Sequence, residues 1–259
     1  MDNAKTFATR LRSKEKLVGY WAVMGTPVAM ERVARVGYDY ICFDQQHGLM
    51  GYQDIRDGLM AVDAGSALGP VPTMGLVRAA ANDITWIGHA LDAGAAGIIV
   101  PLVDSAEDAA RAVANTKYPP LGRRSYGPMR SQLRIGPVPA EVNEATVVAA
   151  MIETPEGLAN VEAIAATPGL DALYVGPSDL CIAVGGRFPG DPEVREVFDA
   201  ALERVLAAAA AAGIAAGIHT ASGAEASARL DQGFDFASVS SDLVHLEQAA
   251  ADHLRRVQG

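Results

Sequence analysis

The chain is poor in cations and in cysteine. Its 259 residues include 21 basic against 31 acidic side chains, a formal net charge of −10, which argues against a nucleic-acid footprint or an anionic membrane as partner. Small molecules are the favoured partners. Four of the basic residues are lysines, Lys5, Lys14, Lys16 and Lys117, and none follows an apolar run where a barrel enzyme would place a catalytic amine, so Schiff-base chemistry is not expected. Two cysteines, Cys42 and Cys181, are too few for a disulfide scaffold and suit a reducing compartment. No stretch offers the ~18 uninterrupted apolar residues of a membrane span. The opening MDNAKTFATRLRSKEKL has no apolar core of a secretory signal, so the cytoplasm is the expected location. No two glycines stand two residues apart and no G-K-[ST] occurs, which excludes the dinucleotide fingerprint and the Walker loop. Close-set histidines and cysteines are missing too, which speaks against structural zinc.

What is present is regular. Half of the residues are hydrophobic, and short apolar runs alternate with longer helical patterns. The runs 17–24, 40–43, 72–77, 97–100, 147–152, 172–175, 214–218 and 236–239 read as strands buried on both faces, as in a parallel sheet covered by helices. Between them, Ser105 and Thr154 read as helix N-caps, the latter followed by Pro155 at the first helical position. Gly94 and Gly213 read as helix stops. A terminal helix is expected over about 242–257. Eight such units without a composition break predict an α/β fold, a single-domain (β/α)8 TIM barrel spanning 1–259. The irregular exception is 117–145, with five prolines and four arginines, expected to be a long functional loop.

Polar residues gather where the strands are expected to end. Asp44, Gln46 and His47 follow the second run, Arg78 the third, Glu153 the fifth, and Gly176-Pro177-Ser178-Asp179 the sixth. Each alone reads as a cap, a surface ion pair or a first-turn acid. Together, ionisable groups at successive strand ends in apolar surroundings are costly to bury and hard to explain by folding alone. His219 follows the seventh run and points to the same end, either behind the reacting groups or capping the loop. Trp21 ends the first run and either packs on substrate or fills the core. His89, His245 and His253 fall on helical patterns as surface or packing residues.

FDxxHG at 43–48, Arg78 in LVRxxxND, Leu91-Asp92-Ala93-Gly94 before GIIVP, PPxGxRSxG at 119–127, IETPEG at 152–157 and VGPSDL at 175–180 together resemble the HpcH/HpaI family of metal-dependent pyruvate aldolases. The resemblance runs in order over nearly the whole chain. It implies a (β/α)8 barrel, a divalent metal held by Glu153 and Asp179, pyruvate on that metal, a base dyad of His47 with Asp92, and Arg78 on the keto oxygen. Two carboxylates with no histidine or thiolate partner form a hard-oxygen set, so the implied metal is Mg²⁺ or Mn²⁺, with Co²⁺ a further candidate. Backbone N–H groups from Gly176 to Asp179, with Pro177 and Ser178 between, would meet the substrate carboxylate. Asp44, Gln46, Trp21, Arg124 and His219 would stand behind these groups, Arg124 meeting either the aldehyde portion or a neighbouring loop. Many members carry Glu where this chain has Gln46; an amide there could hold a water or orient the arginine, without adding charge. Family members generally form hexamers through the terminal helix, and LVHLEQAAADHLRRV carries leucine and valine at helical spacing that a partner could cover, or that could pack on its own barrel.

The expected activity is reversible cleavage of 4-hydroxy-2-oxo acids to pyruvate and an aldehyde. Oxaloacetate decarboxylation through the same enolate is the alternative within the class. A citrate-lyase-like reaction on CoA thioesters lacks a basic cluster for the CoA phosphates. Outside the class stands a non-catalytic barrel binding a small acid, against which the joint presence of His47, Arg78, Asp92, Glu153 and Asp179 weighs.

Overall fold

The computed structural model describes residues 2–259. Eight parallel strands close into a barrel, each hydrogen-bonded to the next and β8 to β1. They are β1 (Leu17–Ala22), β2 (Tyr40–Asp44), β3 (Met74–Arg78), β4 (Gly97–Val100), β5 (Val147–Ile152), β6 (Ala172–Val175), β7 (Ala215–Thr220) and β8 (Phe236–Val239). All eight expected runs are strands, with ends moved by at most two residues. Helix α1 (Asp2–Arg12) precedes the barrel, and α2 (Pro27–Val33), α3 (Tyr52–Ser66), α4 (Ile84–Asp92) and α5 (Ala106–Thr116) follow the first four strands. After them come α6 (Pro139–Ala145), α7 (Pro155–Ala159), α8 (Val161–Ala165), α9 (Pro177–Ala183), α10 (Arg195–Ala212), α11 (Gly223–Gln232) and α12 (Asp242–Gln258).

Apolar residues of both parities explain why no polar alternation marks the strands. One parity fills the barrel and the other packs under the helices, giving two apolar layers. The expected caps are made: Ser105 Oγ accepts the Asp108 N–H, Thr154 Oγ1 accepts the Gly157 N–H, and Gly213 ends α10 with φ 75°. The 117–145 segment is shorter than expected. Its last seven residues are α6, because Pro139 opens a helical turn and Val142 and Ala145 bury against α1 and the barrel floor.

α1 closes the end where the strands begin, with Phe7, Ala8 and Leu11 buried beneath the barrel. Aspartates preceding alternate strands tie the same end. Asp39, Asp171 and Asp235 accept the N–H of Val18, Val148 and Ala216 on the preceding strand at 2.8, 2.8 and 2.9 Å. Arg10 and Arg12 of α1 bond the other oxygens of Asp39 and Asp171. Lys117 lies here too, donating to the Asn143 and Thr146 carbonyls, and burial pulls its pKa down to about 8. The N-terminal end of such a barrel carries stability, which leaves the opposite mouth for chemistry.

α12 departs from the usual covering role. Of its residues only Asp242 is buried, while Leu243, Val244, Leu246, Leu254 and Val257 are exposed. Its first turns are tied to β1, by Asp242 accepting the Val23 and Met24 N–H groups and by Tyr20 Oη bonded to His245 Nδ1 at 3.0 Å. The rest does not pack on its own barrel. Among the described residues no helix is long and apolar enough to cross a membrane, and Cys42 and Cys181 are both buried and unpaired.

Candidate active site at the barrel mouth

Strand parity decides which side chains enter the mouth. Cys42, Leu76, Met151, Tyr174 and Ala215 face the barrel interior. The two-residue alternation carried onward brings Asp44, Arg78, Glu153, Gly176 and His219 to the inner rim.

Asp44 is the most heavily bonded of them. At 2% exposure it accepts Arg78 Nε at 2.9 Å and Nη2 at 2.5 Å, Trp21 Nε1 at 3.2 Å, and the Gln46 and His47 N–H groups at 3.1 Å each. Burial opposes its ionisation, but the Arg78 fork and the other donors more than offset this and hold its pKa below the usual carboxylate value. The arginine is thereby fixed, buried at 8% exposure, with its guanidinium carbon 5.2 Å from the Trp21 ring centre. Trp21 in turn stacks on Tyr174 at 5.9 Å. Asp44 and Trp21, expected as supporting residues, are the clamp that aims Arg78. Gln46 is not: its side-chain oxygen is buried without a partner, and only its backbone reaches Asp44.

Glu153 is buried just past β5. One oxygen accepts the Leu102 N–H at 2.8 Å, and Leu102 adopts φ 53° to present it. The other faces Gly176, where a Cβ would stand 2.5 Å from Oε2, so only glycine lets the β6–α9 turn pass this carboxylate. Burial raises the Glu153 pKa, the Leu102 N–H opposes that shift, and the charge of Asp179 adds to it. Thr154 beside it hydrogen-bonds Asp104 while capping α7. Asp104 and Leu102 escape sequence reasoning because one acts through a neighbour and the other through its backbone.

Asp179 stands in the first turn of α9, exposed to a cavity of ≈190 Å³ lined by Trp21, His47, Arg78, Met151, Tyr174, Gly176, Pro177, Ser178, Asp179 and His219. Glu153 lies behind Gly176 at its wall. Among the described residues no cluster of three or more His, Cys, Asp or Glu could hold a metal. The pair Glu153 and Asp179 fits a hard divalent cation that keeps other positions for water and substrate. Most of the Glu153 shift comes from burial; the smaller part due to the Asp179 charge is what a cation between the two carboxylates would relieve. The Gly176–Asp179 backbone offers fewer donors than expected: Pro177 has no N–H, and α9 has only seven residues.

Two expected residues, Asp92 and Arg124, lie away from the mouth. His47 is at the mouth, three residues past Asp44, exposed, and its side chain has no hydrogen-bond partner among the described residues. Asp92 ends α4, five residues before β4 starts, at the closed end. The nine residues of α4 put about 13 Å of helix between the two levels, so this chain cannot pair its own His47 with its own Asp92. Asp92 instead accepts Arg124 Nη2 at 2.7 Å, and Arg124 is buried over Tyr118 and touches nothing at the mouth. His219 does reach the cavity. It meets Trp21 edge-on at 5.1 Å and caps no loop, and burial, aided by the Arg78 charge, lowers its pKa to about 4.

Fold and rim together define a (β/α)8 barrel whose mouth sets two carboxylates beside a clamped arginine. Residues 17–249 match the HpcH/HpaI aldolase/citrate lyase family model, and the chain belongs to that family. It is 34% identical to a hydroxypyruvate/pyruvate aldolase of Paraburkholderia phytofirmans over 96% of each chain. A hydroxypyruvate/pyruvate aldolase of Rhizorhabdus wittichii is 38% identical over 90% of each. The crystal structure of an HpcH/HpaI aldolase/citrate lyase family protein from Burkholderia cenocepacia superposes with a TM-score of 0.85 at 32% identity, covering 98% of this chain and 100% of that one.

Proposed function

We propose that the protein is a divalent-metal-dependent aldolase of the cytoplasm that reversibly cleaves 4-hydroxy-2-oxo acids to pyruvate and an aldehyde. The observation that carries this reading is the Arg78 guanidinium, locked by Asp44 on the wall of a cavity that Asp179 also lines, with Glu153 behind it. A cation held by Glu153 and Asp179, Mg²⁺ or Mn²⁺ by the chemistry of the ligands, would supply Lewis-acid stabilisation to the oxygens of the 2-oxo acid. Arg78 donates to the keto oxygen at C2. When the C3–C4 bond breaks, its electron pair forms the C2–C3 double bond of pyruvate enolate and charge grows on that oxygen, where a fixed donor acts most strongly. Fixing Arg78 beforehand avoids reorganisation at that moment. His47 accepts the proton of the C4 hydroxyl as the aldehyde forms, and a proton returns to C3 to complete pyruvate. Ser178 and Asp179 N–H groups orient the carboxylate.

A dyad of His47 with Asp92 then requires a second copy, which brings its Asp92 from the closed end of one barrel to the open mouth of another. The apolar, unpacked length of α12 supports such a homo-oligomer, a hexamer by the family resemblance. The test is pyruvate release from 4-hydroxy-2-oxopentanoate, followed by NADH consumption with lactate dehydrogenase. Activity should vanish with chelator, return with Mg²⁺ or Mn²⁺, and survive borohydride in the presence of pyruvate, since Lys117 is sealed at the closed end. Chelator-resistant turnover, or pyruvate trapped covalently, refutes the mechanism.

A further inference from the structure

The substrate cavity is small. Its volume is ≈190 Å³, and Arg78 and Asp179 stand on its wall. Pyruvate has six non-hydrogen atoms and its aldol with glyceraldehyde has twelve, so the acceptor half needs room beyond that taken by pyruvate. A second, larger cavity of ≈580 Å³ lies alongside, and Pro177, Ser178 and His219 line both. Its wall is polar as well as apolar, with Ser240, Glu225 and Arg229 among its residues.

His219 stands at the passage with neither ring nitrogen hydrogen-bonded to another described residue. Nδ1 is buried without a partner. A buried N–H lacking an acceptor is rarer and costlier than a bare acceptor, which places the proton on Nε2 and leaves Nδ1 as the bare lone pair. With a pKa of about 4 the ring is neutral at physiological pH, so it offers one neutral donor and no charge. No other described residue takes up that donor.

We propose that His219 selects the acceptor half of the substrate: its Nε2–H hydrogen-bonds a hydroxyl of a polyhydroxylated aldehyde whose chain runs past it into the larger cavity. This rests on the aldolase reading above and assigns the choice of acceptor to one residue of this chain. A neutral donor suits hydroxyl oxygen, and a site built around such a bond discriminates against the analogue that lacks the hydroxyl, because its polar group is then left unpaired.

The experiment measures aldol formation from pyruvate with Mn²⁺ present, using glyceraldehyde and propanal, which has the same carbon chain without hydroxyls. Wild type should favour glyceraldehyde in kcat/KM by about tenfold or more. His219→Leu should bring the ratio close to one, through the acceptor KM, and His219→Gln, which keeps an N–H, should restore part of it. Because His219 also lines the pyruvate cavity, the pyruvate KM and deuterium exchange at the pyruvate methyl are measured in all three proteins, and both should change by less than the glyceraldehyde preference. In a separate variant, Ala221→Phe, which narrows the larger cavity, erythrose should lose more than glycolaldehyde. An unchanged glyceraldehyde preference in His219→Leu overturns the proposal, as does equal loss on both acceptors together with slower methyl exchange, which marks a merely structural role. Equal effects on erythrose and glycolaldehyde in Ala221→Phe overturn the path into the larger cavity. Wild-type protein that makes no aldol with either acceptor refutes the aldolase reading itself.

Discussion

Removing Asp44 should separate the part of the site that folds from the part that reacts. Asp44→Ala leaves Arg78 charged at 8% exposure with no counter-ion, and breaking a buried pair in this way costs about 3–5 kcal/mol. The Trp21 Nε1–H loses its acceptor too, at roughly 1 kcal/mol; the Gln46 and His47 N–H groups sit nearer solvent and lose less. A loss of about 4 kcal/mol is a large share of the ~5–15 kcal/mol that holds a typical domain folded. Urea denaturation of wild type, Asp44→Ala, Arg78→Met and the double variant measures it, at one protein concentration because association adds to apparent stability. The double variant should cost at least about 2 kcal/mol less than the sum of the singles, since each single strands its partner. Turnover in Asp44→Ala should fall by about 100- to 1,000-fold with little change in pyruvate KM, the range for losing one preorganised donor to a developing oxyanion. The pH dependence has a defined sign. Because the folded Asp44 pKa lies below the unfolded value of about 3.9, its contribution is complete above that value and is lost as pH falls through the folded pKa. Wild type should therefore outlast Asp44→Asn least in strong acid and most above pH 4. Strictly additive stability losses would falsify the clamp.

In Gly176→Ala the new Cβ meets Glu153 Oε2 at 2.5 Å and Met151 Cε at 2.9 Å, side-chain ends that must shift; a folded variant whose Mn²⁺ affinity equals wild type would count against Glu153 as a ligand. Mn²⁺ or Mg²⁺ should raise Tm in wild type but not in Glu153→Gln. The rise should shrink as pH drops through the elevated Glu153 pKa, because the ligand must be deprotonated; a pH-independent shift contradicts the assignment. His47→Ala and Asp92→Ala, each inactive alone, should regain part of the activity when unfolded and refolded together, since mixed oligomers contain interfaces with both native side chains. No recovery in mixtures that do form oligomers rules out the shared dyad.

Apolar runs and caps were enough to read the barrel from the sequence. A strand such as Gly97–Val100 or Ala172–Val175 is buried on both faces wherever it sits in a parallel sheet, so local composition already carries its identity. Ser105, Thr154 and Gly213 act on their own helix ends, a local matter too. The rim residues were legible for a related reason: each lies at the end of a strand or directly after one, and strands ending at one mouth must deliver those residues there. Local pattern could not show that Asp44, 34 positions before Arg78, is its clamp, because that pairing depends on adjacent strands in register. It could not show that the last residues of 117–145 are a helix under the barrel, or that α12 leaves its own barrel uncovered, since both depend on which faces find a partner. The pairing of His47 with Asp92 is the sharpest case. Sequence places both residues in family motifs, but a helix returns the chain to the opposite end of the barrel, and only the tertiary structure shows that one copy cannot bring them together.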